Sequence, residues 1–141
     1  MHIPYSDNKN IALFGEQNET VPLVYFNIIN LKKGESYSYQ LPQHETSVVP
    51  ATGLVELTVD GNKLGQIGTR NTDVWDGEPE GSYIPTNSEC TITCLSDSAE
   101  CFIAGGIYEK KLEAFLVPQK EIDMVQYGSD DTKTHRKIKH I

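Results

Sequence analysis

The stretch LVELTVDGNKL, residues 54–64, carries the clearest fold signal in the chain. Apolar and polar residues alternate up to Val59, as they do in a half-buried β-strand. Asp60-Gly61 then supplies two residues that accept positive φ, which a type I′ hairpin turn needs at both of its central positions. The segment therefore predicts two antiparallel strands joined by a two-residue turn.

Similar short runs of β-branched and aromatic residues recur on both sides of this hairpin. They are separated by Gly, Asn, Asp and Pro at intervals of about ten residues, which is typical of a β-sandwich or barrel. Almost no segment has helical periodicity. The predicted strands cover residues 11–14, 21–31, 36–41, 45–50, 53–59, 62–67, 73–76, 82–84, 90–96, 100–108 and 112–117. We therefore predict an all-β fold, a single antiparallel barrel or jelly-roll sandwich with little helix.

The chain has 141 residues, 38% of them hydrophobic, which suits one globular domain rather than a disordered chain. We predict that residues 21–125 form the barrel and that residues 1–20 form an N-terminal arm or edge strand. From Gln126 onward the sequence becomes polar and loses its alternation. Residues 126–141 are therefore predicted to be a polar, basic tail or linker.

The charge and hydropathy of the chain exclude several classes of partner. The net charge is −8, and an acidic body repels phosphate backbones, so we expect no nucleic-acid binding. The longest nearly apolar run, residues 21–31, is too short for a membrane helix, which needs about 20 residues. Residues 1–10 lack the basic start and apolar stretch of a secretory signal, so we expect a cytoplasmic protein. The basic end can dock on an acidic surface, although a solvated end is commoner.

Three cysteines, Cys90, Cys94 and Cys101, make a disulfide framework improbable in a chain with no export signal. Cys90 and Cys94 lie in an alternating segment, so their sulfurs would start about 13 Å apart on a strand, too far to share a zinc ion. We predict that they are small core residues on one face of the sheet.

Two segments have the spacing of the metal-binding motifs of the cupin family. Gly34 and Gly53 match the two glycines of the first cupin motif, whose three ligand positions are two His and one Glu. Those positions hold Gln40, Pro42 and Thr46 in this chain. Proline has no donor atom, and the other two offer only weak neutral oxygens. The resemblance therefore predicts a cupin barrel that has lost its metal.

The second cupin motif begins at Pro85 and has Cys90 where the family has its ligand His. Asn87 replaces a glycine of the motif, which is tolerable because Asn adopts left-handed backbone conformations more readily than most residues. One thiolate without partners does not form a site. We therefore expect no metal and no cofactor in this chain.

No arrangement of residues predicts a catalytic centre. His44 and Glu45 are adjacent near the start of a strand, so their side chains are expected on opposite faces. Arg70, Trp75 and Tyr83 are the best candidates for contact with a sugar or a protein partner, because Trp and Tyr offer large amphipathic faces. The competing interpretation is that these three residues pack in the core and at its rim.

The chain also resembles a specific family in the order of several segments. IGTRNTDVWDGEP (67–79) and SYIP (82–85) resemble the N-terminal half of 5-deoxyglucuronate isomerase, as do FLVP (115–118) and THRKI (134–138). That family includes 4-deoxy-5-keto-uronate isomerase, and its members are bicupins that interconvert aldose and ketose forms of uronic-acid-like sugars in inositol or pectin catabolism. The resemblance implies that metal and catalytic residues belong to a second cupin, which this chain lacks.

Three hypotheses follow, and whether the chain is an enzyme stays open among them. In the first, the chain is the structural cupin half of a bicupin isomerase and packs on a second cupin domain or forms a homodimer. In the second, it is a stand-alone, metal-free module that binds a small sugar acid or another polar metabolite in the barrel mouth. In the third, it is a metal-independent isomerase with Glu56, Glu45 or His44 as the base.

Overall fold

The computed structural model describes residues 9–16, 20–21 and 24–141, which are almost entirely β structure. The strands are β1 (Val24–Lys32), β2 (Ser36–Gln40), β3 (His44–Thr52), β4 (Val55–Val59), β5 (Asn62–Ile67), β6 (Gly81–Ile84), β7 (Glu89–Cys94), β8 (Ser98–Ile107), β9 (Phe115–Val117), β10 (Met124–Tyr127) and β11 (Arg136–Lys139). One 3₁₀ turn, Gln119–Glu121, is the only helical element in these ranges. The described part of the chain thus contains no helix with the length and hydropathy that crossing a membrane requires.

The strands form two antiparallel sheets that share one core, with a separate two-stranded hairpin. The five-stranded sheet has the order β1-β8-β3-β6-β9, and the four-stranded sheet has the order β2-β7-β4-β5. The pair β10-β11 is the hairpin. Neighbouring strands come from distant parts of the sequence, as in a jelly roll. The predicted all-β antiparallel fold is confirmed.

The core lies between the two sheets because the strands alternate buried and exposed residues. Residues from both sheets contribute its fully buried side chains: Ile29, Val48, Val55, Leu57, Ile67, Ile84, Ile92 and Ile103. Cys90, Cys94 and Cys101 are buried free thiols among them, and the burial of Cys90 and Cys94 agrees with the alternation of residues 90–94. The inward-facing side chains of both sheets are thereby removed from water.

The hairpin predicted for residues 54–64 is present. Val59 pairs with Asn62 across the turn, and the turn residues Asp60 and Gly61 have φ of 48° and 76°. Both values are positive, as a type I′ turn requires. A β-bulge between Leu57 and Thr58 shifts the register of the pair.

Two predicted strands are wrong. Residues 11–14 form only an isolated bridge between Phe14 and Phe26, and the rest of the predicted N-terminal arm lies largely outside the described residues. Residues 73–76 form a turn, because the Asp76 carboxylate accepts hydrogen bonds from the backbone amides of Thr72 (2.8 Å) and Asp73 (3.1 Å). Carboxylates that bind nearby amides favour a turn over a strand ladder.

The prediction that strand structure ends near residue 126 is also wrong. β10 and β11 pair in register from Met124 with Lys139 to Tyr127 with Arg136. Lys139 Nζ lies 2.6 Å from a carboxylate oxygen of Glu78. The basic C-terminal segment therefore contacts the acidic loop that joins β5 to β6. Such an exposed pair contributes about 0–1 kcal/mol. The division of the chain at residues 20 and 125 stays a prediction.

The two glycines of the first motif allow a matched test of the fold. Both have positive φ, +84° at Gly53 and +80° at Gly34. A Cβ at Gly53 would meet the carbonyl oxygen of Ser98 and lie 2.7 Å from Ala99 Cα, whereas nothing lies within 4 Å of one at Gly34.

We expect Gly34→Ala to lower the free energy of unfolding by about 1 kcal/mol, the cost of left-handed backbone for a residue with a Cβ. Gly53→Ala adds a clash with backbone, so we expect a loss of about 3 kcal/mol or more. Urea denaturation of both variants measures the difference. Equal losses would contradict the close approach of Gly53 to β8.

Candidate functional site in the barrel interior and at its mouth

The alternation of β2 decides which residues line the barrel interior. Tyr37 and Tyr39 pack against the core, whereas the other three residues of this strand are exposed. Gln40 is one of those three, and its side-chain amide donates to the carbonyl oxygen of Asn87 at 3.1 Å. Pro42 is exposed as well. Two of the four degenerate ligand positions therefore do not face the interior, which corrects the alignment by motif spacing.

The other two ligand positions, Thr46 and Cys90, are buried inside the barrel beside Tyr39. The hydroxyls of Tyr39 and Thr46 are 2.6 Å apart and form a hydrogen bond between the two sheets. Cys90 is the register partner of Tyr39 on β7. Burial raises the pKa of the Cys90 thiol to about 12 and raises the pKa of Tyr39 well above its ordinary value. Both groups are therefore protonated at neutral pH.

His44 lies in the same interior and is 2% exposed. Neither of its ring nitrogens has a hydrogen-bond partner among the described residues. The edge of Tyr25 packs against it with ring centroids 6.4 Å apart, and a carboxylate oxygen of Glu16 lies 4.0 Å from its Nδ1. A buried imidazole without partners costs stability, so this residue is the least satisfied polar group in the described core.

The three candidate bases do not converge on one point. His44 is buried in the interior, while Glu45 accepts a 2.6 Å hydrogen bond from the Tyr83 hydroxyl on the outer face of the five-stranded sheet. The predicted separation of His44 and Glu45 onto opposite faces is confirmed. Glu56 belongs to the four-stranded sheet and pairs with Lys63, whose hydrogen bond is the main cause of its lowered pKa. Catalysis by a pair of these groups on one substrate is geometrically excluded.

The donor chemistry of the interior does not fit a divalent metal ion. Among the described residues, no three His, Cys, Asp or Glu side chains lie close enough together to hold one. A metal-bound cysteine is a thiolate, and burial holds Cys90 in the thiol form. His44 alone supplies an unpaired nitrogen donor, and single donors do not retain zinc.

The predicted binding residues Arg70, Trp75 and Tyr83 have separate partners. Arg70 donates from Nε to the carbonyl oxygen of Gly77 at 2.9 Å, so it stabilises the loop between β5 and β6 rather than pairing with an acid. Trp75 belongs to the same loop and is 89% exposed. Tyr83 lies on β6 and stacks on Phe115, with ring centroids 5.2 Å apart. A role of the three as one binding site stays a prediction.

A cleft of about 500 Å³ opens at one end of the barrel. Its lining comes from the loops before β3, before β7 and after β8, and consists of Pro42, Gln43, Thr86, Asn87, Ile107, Tyr108, Glu109 and Lys111. We call this space the mouth cleft. Lys111 also borders a smaller neighbouring cleft of about 260 Å³ and lies 2.9 Å from an Asp60 carboxylate oxygen. The hydrogen bond from Lys111 is the main cause of the lowered pKa of Asp60.

A model of the KduI/IolB family matches residues 3–141. The chain belongs to the KduI/IolB family. This confirms the resemblance inferred from the segments around residues 67–85 and 115–138.

Similar proteins in this family and fold are longer than this chain. The 5-deoxy-glucuronate isomerase of Bacillus subtilis (strain 168) is 29% identical over 119 residues, which cover 82% of this chain and 42% of that protein. An IolB-like protein from Salmonella typhimurium LT2 superposes with a TM-score of 0.76 at 22% identity over 92% of this chain and 48% of that one. This KduI/IolB chain thus spans about two fifths of the curated relatives it matches.

The cupin fold itself is shown by a more distant structure. The cupin domain of Schizosaccharomyces pombe Cnp3 is 14% identical and superposes with a TM-score of 0.51 over 70% of this chain and 60% of that one. The predicted cupin-type antiparallel barrel is therefore confirmed.

Sequence reasoning missed three features of this KduI/IolB domain. The unpaired His44 was detectable, because it shares the buried face of β3 with Thr46 and Val48 at a spacing of two residues. The pattern of alternating Ser and Tyr in β2 likewise indicated the inward tyrosines. The mouth cleft had no local signal, because its lining comes from three separated loops.

We expect His44→Leu to raise the free energy of unfolding by about 1 kcal/mol, because leucine fills a similar volume without an unsatisfied polar atom. Thr46→Val is the matched control on the same face. It deprives the Tyr39 hydroxyl of its partner and should lower the free energy of unfolding by about 1 kcal/mol or more. Urea denaturation at neutral pH measures both. A clear loss of stability in His44→Leu would show that the imidazole is satisfied in solution.

Proposed function

We propose that this chain is the metal-free assembly half of a two-cupin sugar isomerase of the 5-deoxyglucuronate type, which serves inositol catabolism. A second cupin domain supplies the metal and the isomerisation of the uronic-acid-like sugar. The lengths of the relatives support this division, since the chain spans 42% of the isomerase from Bacillus subtilis and 48% of the Salmonella protein. The role of this half is to pack against the catalytic one and stabilise it.

The outer face of the five-stranded sheet carries this proposal. It presents a nearly continuous apolar surface, here called the outer aromatic face, formed by Phe26, Ile28, Val49, Tyr83, Phe102, Ala104 and Phe115. Phe26 stacks on Phe102 with ring centroids 6.3 Å apart, and Phe115 is 52% exposed. Contiguous apolar patches of this kind on a sheet mark protein contacts rather than solvated surface.

The register of the strands makes this face flat at its centre. Ala104 on β8 pairs with Phe26 on one side and with Ser47 on the other, and Ser47 pairs in turn with Tyr83. Small side chains thus lie between two aromatic edges. A broad, shallow surface of this shape fits another sheet better than it fits a small ligand, which needs a concave site. A second cupin-fold domain is the partner of matching shape.

The barrel interior supports the metal-free part of the proposal. Tyr39 occupies the space beside Thr46 and Cys90, and its hydroxyl is already bonded to Thr46. On the outer face, Glu45 is engaged with the Tyr83 hydroxyl. Among the described residues, the interior therefore offers no set of three side chains that would hold a metal ion beside a bound sugar.

A second candidate function is a stand-alone, metal-free module that binds a small sugar acid or another polar metabolite. The mouth cleft favours it, because its volume of about 500 Å³ is that of a small-molecule site. The two functions are compatible, since the outer aromatic face and the mouth cleft use different residues.

We expect the purified chain to leave 5-deoxyglucuronate unchanged, because its described donors neither bind a metal nor converge on a substrate. The measurement is the formation of the ketose by NMR, with the isomerase of Bacillus subtilis as the positive control. Zn²⁺, Mn²⁺ and Fe²⁺ are each added in excess. Turnover that appears with any of them, and is lost with a chelator, would refute the assembly-half proposal.

In the absence of a partner domain, we expect the chain to form a dimer at micromolar concentration through the outer aromatic face. Ala104→Arg places a charge at the exposed centre of this face and should raise the dimer Kd by at least about tenfold. Ser38→Arg, at an exposed position on the outer face of the four-stranded sheet, is the control and should leave the dimer intact. Sedimentation velocity distinguishes them. A monomeric parent chain, or equal effects of the two variants, would count against this face.

A further inference from the structure

The mouth cleft is held open by contacts between its three loops. Asn87 N donates to the carbonyl oxygen of Leu41 at 2.9 Å, and Tyr108 N donates to that of Gln43 at 3.0 Å. The Thr86 hydroxyl donates to the carbonyl oxygen of Pro42 at 3.3 Å. Each bond joins segments that are more than forty residues apart in sequence, so the loops are fixed relative to one another. The cleft is preformed, which lowers the entropic cost of binding.

Asn87 is the most constrained residue of this rim. Its φ of 58° lies in the left-handed region, which Asn adopts more readily than most residues with a Cβ. Gln40 Nε2 holds it through bonds to the Asn87 carbonyl oxygen (3.1 Å) and side-chain oxygen (3.4 Å). With that oxygen engaged, the side-chain NH₂ of Asn87 has no partner among the described residues.

The lining of the mouth cleft indicates the chemistry of its ligand. Gln43 and Asn87 supply amides that both donate and accept, and Thr86 adds a hydroxyl oxygen. Tyr108 contributes a partly exposed aromatic ring. Paired donors and acceptors beside an aromatic ring suit the hydroxyl groups and the C–H faces of a sugar or polyol.

The charges around the cleft favour a neutral ligand over an acid. Lys111 is the cation of the lining, and Asp60 already holds its ammonium group at 2.9 Å. Glu109 adds a negative charge to the same lining, and the whole chain carries −8. A carboxylate entering the cleft would therefore meet no unpaired positive charge and would lose its hydration.

We propose that the mouth cleft binds a neutral, polyhydroxylated small molecule of the monosaccharide or polyol class, recognised by the amides of Gln43 and Asn87 beside the ring of Tyr108. This inference rests on the second candidate function and not on the assembly role. The proposed ligand is uncharged, whereas the first ligand class expected from the sequence is a sugar acid. Binding at this site involves no covalent step and no metal.

The test is a titration of the ¹⁵N-labelled chain, followed by amide chemical shifts, with D-glucose as the neutral probe and D-glucuronate as its charged counterpart. We expect saturable shifts with glucose at residues 42–43, 86–87 and 107–111, and weaker binding of glucuronate. Asn87→Gly removes the side-chain amide while keeping a residue that favours positive φ, so the fold is preserved. It should weaken glucose binding about fivefold, the loss expected for one hydrogen bond.

Gln43→Ala should weaken glucose binding to a similar extent, whereas Gln66→Ala, which removes an exposed amide on β5, should not change it. Three results would overturn the inference: tighter binding of glucuronate than of glucose, unchanged affinity in Asn87→Gly, or the absence of saturable shifts around the cleft. The chemical shifts report on the cleft and sedimentation reports on the outer aromatic face. Failure of one proposal is therefore distinguishable from failure of the other.

Discussion

The hydrogen bond between Tyr39 and Thr46 joins the two sheets. It lies in the part of the barrel interior that holds Thr46 and Cys90, the residues at two ligand positions of the cupin motifs. It exists because β2 turns Tyr37 and Tyr39 toward the core and leaves its polar residues in solvent. Once a tyrosine ring occupies that space, the neighbouring Cys90 is desolvated and its thiol pKa rises to about 12. Among the described residues, the interior then lacks the anionic donors that retain a divalent cation. An apolar, internally satisfied barrel is the result, with His44 as its exception.

The two features to which a function is proposed both lie at the surface of this domain. The outer aromatic face is broad and shallow, whereas the mouth cleft is concave and lined by amides. These two shapes suit two different partners, a folded domain and a small hydroxylated molecule. Both surfaces are placed by the same strands, since β8 contributes Phe102 and Ala104 to the face and ends at Ile107 in the cleft. The two surfaces proposed for assembly and for binding thus belong to the same set of strands.

The family gives this arrangement a context. This KduI/IolB chain spans 42% of the Bacillus subtilis isomerase, and in the proposed division the apolar sheet face is the surface that contacts the other half. The C-terminal hairpin adds to the same side of the molecule, because Ile141 lies against Gly81 at the start of β6. Lys139 and Glu78 pair close by, and the acidic loop between β5 and β6 thereby gains a contact that its own sequence does not supply.

The sequence by itself determined the features that depend on neighbouring residues. Asp60-Gly61 specified the hairpin turn, the period of residues 90–94 placed two cysteines on one buried face, and Asn87 was suited to its left-handed backbone. The family was also accessible, because the order of its segments is preserved. Each of these signals is local, so it survives without knowledge of the rest of the fold.

The tertiary structure alone decided which side of β2 faces the core, and a shift of one residue exchanges the two faces of a strand. The motif spacing counted from Gly34 predicted that Gln40 faces the barrel interior. In the structure, Tyr37 and Tyr39 pack against the core, so Tyr39 takes that place and Gln40 is exposed. The pairing of β10 with β11 and the joining of three loops into the mouth cleft were likewise invisible in the sequence. These features arise from contacts between segments far apart along the chain, and their free energy is gained only when the whole fold is assembled.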